Sequence, residues 1–251
     1  MIKINEIIII LWYSLYGEGM EYGKIIVIEG TDCSGKETQT RLLVEKLESI
    51  GRKVKRISFP MYDSPTGKII GACLLGKIDM CHDILNEEHG LFPEGGGNVD
   101  SLAAIDLYAA DRRYNLPKIN ALLDEGYIVI IDRYVASNMA HRGGLLEKRE
   151  DRLKIYKKIE LLEYEINELP RPDKTILLYL PYEYACILKK NRQEAADEVE
   201  KNEKYLKMGE KAYLELSALY NYDVIDCVKN KQIRTIENIN EELFEKIKEI
   251  L

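Results

Sequence analysis

Five short apolar runs recur along the chain, at residues 24–29, 54–59, 127–132, 175–180 and 223–227. Most are nearly continuous rather than alternating, as in KIIVIE, YIVIID and TILLYL. Strands of this kind are usually buried on both faces, and such burial requires a parallel sheet with helices on each side. The pattern therefore predicts an α/β fold with five parallel strands between two layers of helices.

Helical periodicity fills the segments between these runs. Leu43, Leu47 and Ile50 follow a 3.6-residue spacing, and Gly51 is suited to end that helix. Pro117 suits the first turn of another helix, which ends at Gly126.

Two further segments are rich in charge. The charge-rich pattern of residues 148–169 predicts one long helix. The charged stretch at 189–207 is typical of a solvated helical face, and it is also the candidate for a mobile helical lid.

Length and composition favour one domain. The chain has 251 residues, of which 46% are hydrophobic, and this suits a single α/β domain over residues 20–251. The apolar run at 7–13 is far shorter than the roughly 20 residues of a membrane span. Residues 1–19 are expected to be a non-native or disordered extension, because Gly17-Glu18-Gly19 implies purine-rich codons that resemble a ribosome-binding site ahead of Met20.

Charge and cysteine content narrow the partners and the compartment. The formal net charge is −7, which disfavours binding of long nucleic acids but leaves room for a small anion held by local cations. The five cysteines are scattered and form no C-x-x-C pair, so we expect reduced thiols and a cytoplasmic protein.

A phosphate-binding motif, G-x-x-x-x-G-K, directly follows the first predicted strand and precedes a predicted helix. Glycines let the backbone N–H groups face phosphates, the helix N-terminus adds a positive dipole end, and a lysine reaches the outer phosphates. The predicted ATP-binding residues are Gly30, Thr31, Asp32, Cys33, Ser34, Gly35, Lys36, Glu37 and Thr38.

Glu37 departs from this motif, because a serine or threonine that binds Mg²⁺ is expected after the lysine. Thr38 lies one position late. Mg²⁺ keeps several waters readily, so Asp132, at the end of the third predicted strand, is a candidate to bind the ion through water.

Six stretches together resemble the thymidylate kinase family of nucleoside-monophosphate kinases. They are EGTDCSGKETQT, FPMYDSPTG, LYAADRRY, DRYVASNMAHRGG, LPRPDKTILLYLP and ADEVEKNEKYL, in order from about Lys24 to the carboxyl terminus. The resemblance implies a P-loop NTPase fold, transfer of a phosphoryl group from ATP with Mg²⁺ to dTMP, and a homodimer. In that family the position of Glu37 varies, so its presence need not inactivate the loop.

The resemblance also implies residues that bind the acceptor nucleotide. They are Asp32, Phe59, Tyr62, Tyr108, Arg112, Arg133, Ser137, Asn138 and His141. Asp32 would accept a hydrogen bond from the 3′-hydroxyl, although an aspartate there also suits a helix N-cap. Tyr108 would stack on the base and Arg112 would bind its O4, whereas without the other motifs they suggest a core aromatic and a surface charge.

The implied catalytic residues are Lys36, Asp32, Arg133 and Arg192. Arg133 would hold the acceptor phosphate with its planar fork. Arg192 would supply the lid cation, because the segment from Gly30 to Lys36 contains no arginine; a solvated helical face is the alternative.

Three departures bear on the choice of acceptor. Met61, His141 and Arg142 stand where relatives often carry arginine, an aromatic residue and glutamine, respectively. A kinase for a different nucleoside monophosphate therefore remains an alternative, as does a nucleotide-binding regulator without turnover. A small GTPase is disfavoured, because the nearest string to N-K-x-D, at residues 230–233, lacks the aspartate.

Overall fold

The computed structural model describes residues 22–77, 99–190 and 203–251. Five strands form one parallel sheet, namely β1 (Lys24–Gly30), β2 (Val54–Ser58), β3 (Ile128–Asp132), β4 (Lys174–Tyr179) and β5 (Asp223–Asp226). Their spatial order is β2-β3-β1-β4-β5. The predicted parallel α/β sheet is confirmed, because each apolar run forms a strand with nearly the expected ends.

Helices flank this sheet on both faces. They are α1 (Lys36–Ser49), α2 (Pro65–Cys73), α3 (Ser101–Asp124), α4 (Val135–Asn138), α5 (Arg149–Glu160), α6 (Tyr182–Lys190), α7 (Glu203–Tyr220) and α8 (Ile236–Lys248). Two π-helical turns extend α4 and α5, at Met139–Gly143 and Leu161–Ile166. A short hairpin of β6 (Val228–Lys229) and β7 (Gln232–Ile233) precedes α8.

The central strand shows why the sheet is covered twice. Ile25 and Val27 of β1 join an apolar cluster with α3, α5 and α7, whereas Ile26 and Ile28 join a second cluster with α1 and α8. All four side chains are at most 2% exposed. Alternate residues of a pleated strand point to opposite faces, so a continuous apolar run serves both layers.

The prediction for Pro117 is wrong. This proline lies inside α3, which begins sixteen residues earlier at Ser101. Proline removes the hydrogen bond to the carbonyl four residues before it, and here both Pro117 and Arg113 are exposed, so the missing bond falls on the solvent side of the helix. Buried Leu116 and Ile119 on the opposite face hold the helix against the core.

The predicted apolar face of α1 is one residue too long. Leu43 and Leu47 are fully buried, but Ile50 is 53% exposed and lies beyond the last helical residue. Gly51 takes φ +80°, a left-handed conformation that glycine adopts without strain, and the chain turns there as predicted.

The carboxyl edge of the sheet brings separate motifs together. Ile28 of β1 pairs with Asp132 of β3, so the loop after β1 and the residues after β3 leave the sheet side by side. Ligands bind at such edges in open α/β sheets. Within the described ranges, no helix has the length and apolar character to cross a membrane.

Candidate functional site

The loop between β1 and α1 is fixed against the sheet. A Cβ on Gly30 would lie 2.9 Å from the Leu178 carbonyl oxygen of the neighbouring strand, so a larger residue does not fit there. Gly35 has φ +80°, a conformation that other residues adopt with strain. Thr31 Oγ1 donates to the Leu180 carbonyl at 2.7 Å and accepts from the Leu180 N–H at 2.9 Å. These two bonds attach the loop to the end of β4.

Lys36 folds back over this loop. Its Nζ donates to the carbonyls of Gly30 and Thr31, each at 2.9 Å, and lies 3.5 Å from Ser34 Oγ. Burial, and next the charge of Arg133, lower the pKa of Lys36 to about 8. The ammonium group is therefore held by neutral acceptors, and anionic phosphate oxygens bind such a group more strongly.

Asp32 does not cap α1. The N-cap position is Gly35, and no side chain makes a capping bond there, so the alternative of a helix cap is wrong. Instead the Asp32 carboxylate lies 3.7 Å from Arg133 Nη2 and 3.5 Å from Lys189 Nζ. Burial alone would raise its pKa, but Arg133 and then Lys36 outweigh burial and hold the pKa below its usual value. The carboxylate is an ionised hydrogen-bond acceptor.

Arg133 leaves the end of β3 with φ +66°, in the left-handed region. Its Nη1 lies 3.2 Å from His141 Nε2. A guanidinium can only donate, so Nε2 accepts and the His141 proton is on Nδ1. Burial, and next the charge of Arg133, lower the pKa of His141 to about 3, so the ring is neutral at physiological pH.

Asp132 is held by a cation. Its Oδ2 accepts from Arg56 Nη2 at 2.7 Å, and Arg56 Nε donates to Thr40 Oγ1 at 2.8 Å. Thr40 therefore supplies the α1 hydroxyl that contacts Arg56. Glu37, which follows the lysine of the motif, is exposed, and Thr38 is half-buried.

Carboxylates nonetheless gather where Mg²⁺ would accompany a nucleotide. Asp32, Glu37 and Asp132 all border the same cleft. Their oxygens are the ligands that Mg²⁺ prefers, and this ion usually takes only one or two carboxylates besides water and phosphate. In the parts of the chain that the structure describes, no three His, Cys, Asp or Glu residues form a metal cage. The carboxylates that border the cleft fit a Mg²⁺ ion that is bound together with a nucleotide.

One cleft of about 990 Å³ joins the loop to the residues expected to bind the acceptor. All nine expected acceptor residues line it: Asp32, Phe59, Tyr62, Tyr108, Arg112, Arg133, Ser137, Asn138 and His141. So do five of the expected ATP-binding residues besides Asp32, namely Cys33, Gly35, Lys36, Glu37 and Thr38. The lining does not include Gly30, Thr31 and Ser34, which shape the loop and contact Lys36 instead.

Tyr108 and Arg112 lie four residues apart on α3 and face the cleft together. Arg112 is only 2% exposed, so the alternative of a surface charge is wrong. It makes a bidentate ion pair with Glu163, through Nε at 2.9 Å and through Nη2. Its Nη1 makes only a long contact of 3.5 Å with the carbonyl of Tyr134. One nitrogen of the fork therefore keeps donor capacity at the cleft.

Ser137 lines the cleft, but its hydroxyl is used internally. It bonds Glu29 Oε2 at 2.6 Å and the Tyr213 hydroxyl at 2.8 Å. Glu29, which is fully buried at the end of β1, also accepts from the N–H groups of Tyr134 and Ser137. Glu29 thus fixes α4 to the strand that carries the phosphate loop.

Asn138 presents a buried acceptor. Its Nδ2 donates to the carbonyl of Ile105 at 3.2 Å and to Glu163 Oε1 at 3.3 Å. Both partners are acceptors, so the amide orientation is fixed. Its Oδ1 is buried and has no hydrogen-bond partner in the described part of the chain.

Several residues of the cleft escaped sequence analysis. They are Arg56, Ser58, Leu75, Lys77, Leu188 and Tyr205. Tyr205 stacks on His141, with ring centroids 5.7 Å apart. Arg56 of the cleft and the buried Glu29 could have been identified from the sequence, because each is a charged residue within an apolar run. A charge at such a position predicts a buried partner. Tyr205 lies in the stretch ADEVEKNEKYL, but nothing in that stretch indicated a role in the cleft, since tyrosine is common in helices of any role.

The expected lid cation, Arg192, lies outside the described residues, as do residues 1–19 and most of the stretch 189–207. At the described end of that stretch, Lys189 reaches Asp32. The roles of Arg192 and of the extension therefore stay predictions.

Comparisons with known proteins find similarity to thymidylate kinases. A family model described as thymidylate kinase matches residues 28–239. The chain is 31% identical over 208 residues to the probable thymidylate kinase 1 of Saccharolobus solfataricus, covering 83% of this chain and 90% of that protein. It is 33% identical over 124 residues to the thymidylate kinase of Plasmodium falciparum, a match that spans 50% of that relative. A solved structure of Candida albicans thymidylate kinase is similar with a TM-score of 0.67 at 26% identity, covering 91% of this chain and 92% of that one.

Proposed function

Because the chain belongs to the thymidylate kinase family, we propose that it transfers the γ-phosphoryl group of ATP to dTMP, giving dTDP and ADP. One observation carries the proposal: a single cleft contains Lys36 of the phosphate loop together with Tyr108, Arg112 and Arg133. A donor and an acceptor nucleotide bound there have their phosphates in one cleft. Transfer between two phosphates requires that positioning and surrounding positive charge.

The residues take distinct roles. Lys36 and the loop N–H groups bind the β- and γ-phosphates of ATP. Arg133 holds the acceptor phosphate, and Asp32 accepts a hydrogen bond from the 3′-hydroxyl of the sugar. An oxygen of the acceptor phosphate attacks the γ-phosphorus, and the bond to the bridging oxygen of ADP breaks. Tyr108 stacks on the base, and Arg112 donates to its O4.

Mg²⁺ accompanies ATP in this proposal. Asp132 and Asp32 border the cleft beside Lys36 and would hold the ion directly or through water. When bound, it neutralises charge on the phosphates. Asp132 keeps its position through the 2.7 Å bond from Arg56, whether or not it contacts the ion.

Compartment and assembly complete the proposal. Cys186 and Cys227, which lie in the described part of the chain, are free thiols, and this suits a reducing cytoplasm. We expect a homodimer because the family resemblance implies one.

A coupled ADP-release assay tests the activity. Wild-type protein receives ATP, Mg²⁺ and one of dTMP, dUMP, UMP or dCMP. Turnover should be strongest with dTMP, should fall by roughly 10³-fold or more in Lys36→Ala, and should weaken in Arg112→Ala through a higher KM for dTMP.

Lys46→Ala is the matched control, because Lys46 lies on the same helix but pairs with Glu241 away from the cleft. It should retain full turnover. Stronger turnover with another monophosphate would assign a different acceptor and would implicate Met61, His141 or Arg142. ATP binding without transfer to any acceptor would contradict the kinase and favour a regulator.

A further inference from the structure

Arg142 is a buried charge that has no hydrogen-bond partner within the described part of the chain. The residue is 1% exposed, and its Nε, Nη1 and Nη2 are enclosed with no hydrogen-bond partner among the residues that the structure describes. The other buried arginines differ: Arg112 is paired with Glu163, and Arg152 with Glu215 at 2.7 Å. An uncompensated buried charge is strongly destabilising. A fold that keeps one usually uses it for binding.

The position of Arg142 connects it to the acceptor end of the cleft. Its guanidinium carbon lies 5.8 Å from the centroid of the Tyr108 ring, and Tyr108 lines the cleft. Arg142 is not itself one of the lining residues, but it follows directly after His141, which is one of them. Four residues earlier on the same helical segment is Asn138, whose Oδ1 also lacks a partner in the described ranges. Two unpartnered buried groups of opposite hydrogen-bond type thus occur within one turn.

Resting on the proposed function, we infer that Arg142 selects the base of the acceptor by donating to one of its carbonyl oxygens. Asn138 Oδ1, from four residues earlier, accepts the ring N–H, and Arg112 Nη1 donates to the second carbonyl. These groups form a donor, acceptor, donor series that matches a 2,4-dioxopyrimidine, in which one ring N–H lies between two carbonyls. The bound base supplies the acceptor that Arg142 lacks among residues 22–77, 99–190 and 203–251.

The same series rejects cytosine. Its ring nitrogen N3 is an acceptor and would face Asn138 Oδ1, while its exocyclic amine would face a cationic donor. Buried groups left unpaired in this way discriminate strongly between otherwise similar substrates. Arg142 is therefore a determinant of specificity in this chain, where relatives often carry glutamine.

The test compares Arg142→Gln with the wild type in two measurements. Loss of a charged donor should raise the KM for dTMP by roughly 10- to 100-fold with a smaller change in kcat. The ratio of kcat/KM for dTMP to that for dCMP should fall, while the KM for ATP stays unchanged. The Tm of the protein without nucleotide should rise by roughly 2 °C or more, because an uncompensated buried charge is removed.

Arg152→Gln is the matched control, because it removes a buried arginine that is paired with a carboxylate, Glu215. It should lower the Tm and leave the KM for dTMP unchanged. If Arg142→Gln lowers the Tm as Arg152→Gln does, or leaves the dTMP-to-dCMP ratio unchanged, the inference is wrong. A wild type that phosphorylates no monophosphate would instead overturn the proposed function, so the two failures are distinct.

Discussion

At the scale of single residues, burial sets the protonation of the groups that meet phosphate. The pKa of Lys36 is lowered to about 8, first by burial and then by Arg133. Above that pH the free protein loses the charge that binds ATP. We therefore expect kcat/KM for ATP to decline above about pH 8, whereas kcat persists to higher pH because bound phosphate favours the charged lysine.

A pH profile of both constants in wild type and in Lys36→Arg checks this expectation. Arginine stays charged throughout that range, so the variant, although slower, should show no decline near pH 8. A wild-type kcat/KM that stays level to pH 10 would contradict the expected titration of Lys36.

His141 gives a second prediction at this scale, on stability. Its pKa in the folded protein is about 3, against an ordinary value of 6.5. Between these values the unfolded chain binds the proton and the folded chain does not, so stability falls as the pH is lowered below 6.5. At pH 5 the loss is about 2 kcal/mol.

Urea unfolding at pH 7 and pH 5 measures this loss. His141→Gln removes the titrating group and should lose about 2 kcal/mol less than wild type between the two pH values. Equal losses in both proteins would show that His141 is not held neutral by its surroundings.

At the scale of elements, a π-helical turn supports the acceptor side of the cleft. Glu163 lies in the turn Leu161–Ile166, is fully buried and binds both Arg112 and Asn138. Glu163→Gln would leave the Arg112 charge buried without a counter-charge. We expect a loss of about 3–5 kcal/mol of unfolding free energy and a raised KM for dTMP.

Glu165→Gln provides the comparison from the same turn. Its side chain is 62% exposed and pairs with Arg171 at the surface, so its replacement should change stability by less than about 1 kcal/mol. Similar effects of the two substitutions on stability and on the KM would mean that Glu163 does not position Arg112.

Elements also show what the sequence could and could not predict. The strands were predictable because continuous burial leaves an apolar run that needs no tertiary information, and the phosphate loop because its glycines answer local backbone demands. The position of Pro117 in the middle of a helix was not predictable, because a helix tolerates proline only where the face that carries it is exposed to water. The ion pair of Arg112 with Glu163 spans 51 residues of sequence, so no local pattern encodes it.

At the scale of the whole molecule, the arrangement of the sheet makes one cleft out of two sites. The phosphate loop follows β1, and Arg133 follows its neighbour β3, so the donor and acceptor ends share a boundary at the carboxyl edge. The motifs predicted the fold, but the single cleft depends on the order of the strands in the sheet. A single cleft implies that one ligand can occupy the donor and acceptor ends at once.

An adenosine and a thymidine joined by five phosphates should bind one to one and compete with both ATP and dTMP. Joining the two nucleotides makes the second contact intramolecular, and we expect a Kd roughly 10²-fold or more below that of either nucleotide. Isothermal titration gives the stoichiometry and affinity, and inhibition kinetics give the pattern of competition. Adenosine pentaphosphate without thymidine should lose the competition with dTMP. If the joined compound competes with ATP alone, the two ends do not act as one cleft.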